Sequence, residues 1–138
     1  MDELQSLKNS LSSKRQQLAN KKAEKQRYLG IAADVRAVYN RMAEDKKAIK
    51  GYRDSVKTFA KEKFTTFKGK LYSDNYKART DALISSYNTV ISNLDTNMDR
   101  LNNVVAQYEN KAYQCNGLIG YLESSINSLV HTIENWVN

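Results

Sequence analysis

The 138-residue sequence contains no proline, one cysteine, one histidine and five glycines. Without proline, nothing in the chain forces a helix to break, so very long helices are open to it. A single cysteine excludes an intramolecular disulfide. Cys115 reads as a small buried hydrophobe rather than a reactive thiol. His131 has no second histidine or cysteine at ligand spacing, so no zinc site is expected. Gly69 stands alone, and Gly117 and Gly120 lack the rest of any phosphate-loop fingerprint. Acidic residues are scattered, with no pair placed in a predictable pocket. No catalytic, cofactor-binding or metal-binding residue is therefore assigned, and the chain is not expected to be an enzyme. No apolar run approaches the roughly 18 residues of a membrane span. Met1-Asp2-Glu3-Leu4-Gln5 lacks a basic-then-apolar signal, so Sec export is not expected, while other export routes stay open.

What the chain does have is periodicity. Every seventh residue from Ile84 is apolar: Ile84, Ile91, Met98, Val105, Ala112, Ile119, Ile126, Ile133. Three residues later the same holds for Tyr87, Leu94, Leu101, Tyr108, Cys115, Leu122, Leu129 and Trp136. These are the a and d positions of eight unbroken heptads, and such a seam makes sense only on a long helix packed against other helices. The first half is helical with a less regular pattern. Leu4, Leu7, Leu11 and Leu18 start one phase; Tyr28, Ile31, Val35, Val38, Met42, Ile49, Tyr52, Val56 and Phe59 form a second. The ten-residue step from Leu18 to Tyr28 reads as a stammer, which should overwind or bend the helix. Asp45 falls on the second phase, so it should reach an edge or pair with a cation.

A break lies near mid-chain. Phe64-Thr65-Thr66-Phe67-Lys68-Gly69 ends the first helix in a glycine suited to a C-terminal turn, and Ser73 and Asp74 are N-cap candidates for the second. The expected fold is all-α: one long antiparallel two-helix hairpin over 1–138, coiled-coil-like, with helices at about 2–63 and 75–136 and a turn at about 64–74. Residues whose numbers add to about 138 should then face each other. Leu4 would meet Ile133, Leu11 Ile126, Leu18 Ile119, Tyr28 Tyr108 and Val35 Leu101. Lys21, Lys22 and Lys25 would fall opposite Ala112, Cys115, Asn116 and Gly117, with Gly30 and Gly120 close by, which suggests a bend where both rods loosen.

Two helices leave apolar surface over. The g positions of the second helix include Leu83, Val90, Val104 and Leu118, whereas its e positions are mostly polar. The C-terminal end adds Leu122, Ile126, Leu129, Val130, Ile133, Trp136 and Val137. A stripe widened to a/d/g suits a bundle of more than two helices, so these eleven residues are the candidate partner-binding surface. Long lysine stems of the same chain are the competing cover. Net charge is +7, with +9 in residues 1–69 and −2 in residues 70–138. The basic stretch Lys8, Lys14, Arg15, Lys21, Lys22, Lys25, Arg27 has no interleaved aromatic before Tyr28, so a solvated face or an acidic partner fits it better than nucleic acid.

A helical hairpin with aromatic-x-Gly at its turn (Phe67, Lys68, Gly69) resembles the WXG-type, ESAT-like proteins of bacterial type VII secretion. In length it is most like the small helical proteins encoded beside LXG toxins, the YwqH-like family. It departs from the pattern in having Phe67 where tryptophan is usual. No Tyr/Phe-x-x-x-Asp/Glu export signal is found near its C-terminus: Tyr108 is followed by Ala112 and Tyr121 by Ser125. The resemblance implies a non-enzymatic targeting factor of cytoplasmic origin. It would bind the helical N-terminal domain of an LXG toxin, with a second small hairpin protein as a further partner and export by type VII left open. A homodimer is compatible with the same surface. Two other readings remain: a self-assembling parallel coiled coil, which the β-branched a and Leu-rich d positions also suit, and a basic helix that binds nucleic acid.

Overall fold

The computed structural model describes residues 2–66 and 75–138, and the side chains among them except those of 63–66. Two helices account for nearly all of these residues, α1 (Asp2–Thr66) and α2 (Lys77–Val137), and no strand occurs among the described residues. The chain is an all-α, two-helix hairpin. Helix α1 continues through Phe64-Thr65-Thr66, three residues beyond the expected end. The turn motif Phe67, Lys68, Gly69 and the caps Ser73 and Asp74 lie outside the described residues.

The hairpin divides into two compact units, each built from one segment of each helix. Unit 1 joins residues 1–34 to 104–138, and unit 2 spans 35–103. Within each, paired residues fix an antiparallel register. In unit 1 the rings of Tyr28 and Tyr108 lie 6.1 Å apart, Lys14 stands over Tyr121 and Lys22 approaches Glu123 at 4.0 Å. In unit 2 Lys46 pairs with Asp95, Arg53 Nη1 donates to Asn88 Oδ1 at 3.0 Å, and the rings of Phe59 and Tyr76 are 6.2 Å apart. The residue numbers of these pairs add to between 135 (Phe59 with Tyr76) and 145 (Lys22 with Glu123), bracketing the expected 138.

The seam of α2 is the one its heptads predict. All sixteen a and d residues are buried or half-buried except Trp136, at the last turn. The seam of α1 differs from expectation. Its inward residues alternate by three and four without a break: Leu4, Leu7, Leu11, Lys14, Leu18, Lys21, Lys25, Tyr28, Ala32, Val35, Tyr39, Met42, Lys46, Ile49, Arg53, Val56, Ala60. The stammer between Leu18 and Tyr28 is absent, because Lys21 and Lys25 hold the heptad positions between them. Ile31, Tyr52 and Phe59, read as seam residues from their hydrophobicity, are exposed, and Ala32, Arg53 and Ala60 face inward instead. Asp45 is exposed beside the inward Lys46, so it reaches an edge.

Size complementarity explains how cations enter the seam. Small Ala112 and Cys115, almost wholly buried, stand at the height of the long stems of Lys25 and Lys21. A lysine stem is an apolar chain with a charged tip, so it fills the layer while the ammonium reaches the edge. No bend is needed to reconcile the two helices here. Gly30, Gly51, Gly117 and Gly120 are exposed, and a Cβ added at any of them would meet nothing. These four glycines neither permit a close approach nor mark a turn.

Candidate interaction surface

The two edges of the seam differ in chemistry. Numbered as heptads, Lys22, Asn88, Asp95 and Glu123 occupy e positions, and they take part in the cross-helix contacts of Lys22 with Glu123, Lys46 with Asp95 and Arg53 with Asn88. The e edge is thus bridged by polar contacts, two of them in unit 2 and in unit 1 the single 4.0 Å approach of Lys22 to Glu123. Phe59 and Tyr76, in contact in unit 2, are both g residues. In an antiparallel pair g therefore faces g, and apolar g residues of the two helices share one edge.

In unit 2 that edge is apolar except for the exposed Asp45 and Asn97. Helix α1 contributes Val38, Tyr52 and Phe59 to it, and α2 contributes Tyr76, Leu83 and Val90. Leu83 is 45% exposed and Val90 43%. Between the helices runs a groove of about 420 Å³ lined by Ser55, Val56, Phe59, Tyr76, Arg79, Thr80 and Leu83. Its floor is set by Thr80, buried with its hydroxyl donating to the Tyr76 carbonyl at 2.8 Å. This internal bond satisfies the hydroxyl and leaves the threonine methyl for the groove. Phe59, expected in the seam, and Tyr76 and Arg79 are not among the partner-binding residues expected from sequence. The signal that could have found them is strict heptad counting on α1, which places Phe59 beside the seam, and extension of the α2 heptads upstream of Ile84.

In unit 1 the g edge is interrupted. Val104 is half-buried and Leu118 is 44% exposed, but Glu24 and Lys111 occupy the g positions between them. Glu24 takes two hydrogen bonds there, from Lys21 Nζ at 3.1 Å and from the Tyr28 hydroxyl at 2.9 Å. Lys21, then Tyr28, hold the Glu24 carboxyl below the usual carboxylate range. The bond to Glu24 pushes the Lys21 ammonium and the Tyr28 hydroxyl above theirs. Lys111 lies over both tyrosine rings, 4.9 Å from that of Tyr108 and 5.8 Å from that of Tyr28. Such stacking holds a cation against the layer.

The eleven candidate partner-binding residues separate on this basis. Leu83, Val90, Leu118, Trp136 and Val137 are exposed; Val104, Leu129, Val130 and Ile133 are half-buried. Leu122, 1% exposed, and Ile126, buried, do not present a surface: both are spent in the hairpin's own seam against α1. Their burial corrects the expectation that these two line an exposed partner-binding surface. Their position at d and a points them to the partner helix within the chain, not away from it.

Cys115 is buried, with its thiol donating to the Lys111 carbonyl at 3.4 Å, as expected of a small core residue. His131 is exposed. Among the described residues no group of three or more His, Cys, Asp or Glu is placed to hold a metal ion. No helix among them is long and apolar enough to cross a membrane. Comparison with protein-family models, with curated proteins and with solved structures finds no match to this chain.

Proposed function

We propose that the chain is a non-enzymatic adaptor that docks a helical partner along its g edge. The observation that carries this reading is the asymmetry of unit 2. Polar bridges close its e edge, while Phe59, Tyr76, Leu83 and Val90 line an open apolar g edge. A third helix laid there would complete a bundle in which each helix buries a stripe against two neighbours. At ~25 cal/mol per Å², a few hundred Å² of apolar surface removed from water is worth several kcal/mol, enough to drive association.

The resemblance to type VII hairpins supports a more specific partner, the helical N-terminal domain of an LXG toxin, with this chain presenting the toxin for export. The test is co-expression with an LXG protein encoded beside this chain, followed by co-purification. The proposal predicts a complex that survives size exclusion and is lost in the double variant Leu83→Glu/Val90→Glu. Because both side chains are exposed in the free protein, far-UV circular dichroism should be unchanged. Two separately soluble proteins that never co-purify would refute the toxin partner.

A further inference from the structure

The charge around the g-edge groove identifies the chemistry of what fills it, and this inference rests on the docking reading above. Residues 35–103, the span of unit 2, carry 14 Lys and Arg against 8 Asp and Glu, a net of +6. Only +1 of the chain's +7 remains for unit 1. The excess of positive charge thus sits in the unit that holds the open aromatic groove. Within the groove lining, Arg79 is the one charged residue. It is exposed, and no hydrogen bond or ion pair is found for it among the described residues. Arg41 and Arg100, at c positions on the same side of the seam, are exposed as well. The acidic residues on that side are Asp45, at a g position, and Glu62, which already has an interaction. The e edge, by contrast, has its own carboxylate, Asp95, matched to Lys46.

We infer that the g-edge groove of unit 2 takes an amphipathic helix with acidic flanks. A large apolar side chain of that helix seats between Phe59, Tyr76 and Leu83, and a carboxylate one turn away pairs with Arg79. An arginine beside an aromatic pocket supplies what recognition of such a helix needs. The pocket gives buried area, and the planar guanidinium gives a two-pronged, directional contact to a carboxylate. Residues three or four apart on a helix lie on one face, so the apolar anchor and the carboxylate can be one turn apart in sequence. A second copy of the chain is the poorer occupant, because Arg79 is the one charged residue of the groove lining and a facing copy of that lining offers it no carboxylate.

The experiment uses the full chain and two fluorescent helical peptides of about 18 residues, five turns long. They share one Leu/Phe face and differ only in flanks of Glu or Lys. Anisotropy titrations are run at low and at high salt with the natural chain, Arg79→Glu and Leu83→Glu. The Glu-flanked peptide should bind and the Lys-flanked peptide should not. Arg79→Glu should weaken the Glu-flanked peptide by about tenfold or more and reverse the preference, since a charge-assisted pair becomes a repulsion. Higher salt should weaken binding to the natural chain, and Leu83→Glu should remove binding of the Glu-flanked peptide. Equal binding of the two peptides, or a preference that Arg79→Glu leaves in place, would overturn the acidic-partner inference and leave the docking reading intact. If neither peptide binds, both readings of this edge fall. A concentration-dependent doubling of mass abolished by Leu83→Glu, without peptide binding, would make a second copy the occupant and overturn the inference as well.

Discussion

Two leucines four residues apart on α2 show how position overrides residue type. Leu122 is 1% exposed at a d position, and Leu118 is 44% exposed at a g position. Leu122→Ala should cost about 2–5 kcal/mol in denaturant unfolding, the range for a buried leucine that leaves a cavity. Leu118→Ala should change the free protein by about 0.5 kcal/mol or less, as surface substitutions usually do. Similar losses from both would show that the seam is misplaced. Glu24 makes a second prediction, on pH. Its carboxyl is held low, chiefly by the Lys21 hydrogen bond, so its contribution is present above the ordinary carboxylate value and is lost as pH falls through the lowered one. Lys21 and Tyr28 are held high, chiefly by Glu24, so theirs is present below their ordinary values of about 10 and is lost as pH rises through the raised ones. Thermal melts of Glu24→Gln should be flatter with pH than those of the natural chain at both limbs. Identical pH profiles would show that the cluster is solvated and inert.

At the scale of an element, the four described glycines are costs without a structural return. Each sits inside a helix, exposed, with open space where a Cβ would go. Glycine in an exposed helix interior is about 1 kcal/mol less favourable than alanine. Replacing Gly30, Gly51, Gly117 and Gly120 by alanine together should raise Tm by several degrees, read by circular dichroism. A fall would mean that one of these positions bends or approaches a neighbour. Register is also an element-scale property. Lys46 with Asp95 ties α1 to α2 across the e edge. A double-mutant cycle with Lys46→Ala and Asp95→Ala should give a favourable coupling of roughly 0.2–1 kcal/mol, the range for a part-exposed pair. Zero coupling would speak against this register in unit 2.

For the whole molecule, the choice between hairpin and parallel dimer turns on the cations of α1. Lys14, Lys21, Lys25, Lys46 and Arg53 all face inward. In an in-register parallel dimer each would confront its own copy. In the hairpin they meet Tyr121, Glu24, the small Ala112 and Cys115 layer, Asp95 and Asn88. Spin labels on the exposed Ser12 and Asn127 test this directly. They lie at matching heights in unit 1, so a short distance should survive dilution with unlabelled chain. On one continuous rod the same sites would be about 170 Å apart at 1.5 Å per residue, and any short distance would vanish on dilution.

The α2 seam, the antiparallel register, the Tyr28–Tyr108 layer and the buried Cys115 were legible from sequence, because one apolar residue type recurring at fixed spacing has only one helical face to occupy. The α1 seam was not legible from hydrophobicity. Lysine and arginine can bury stems while exposing tips, and alanine buries where space is small, so the large Ile31, Tyr52 and Phe59 mark a face that is not the buried one. What only the tertiary structure decided is which apolar residues remain available. Leu122 and Ile126 are buried against the chain's own first helix, whereas Leu83 and Val90 stay exposed on the edge where Phe59, Tyr76 and Arg79 line a groove. Periodicity fixes the face a residue occupies on its own helix. Whether that face is covered depends on the size and charge of the residue opposite, which is set only when the two helices meet.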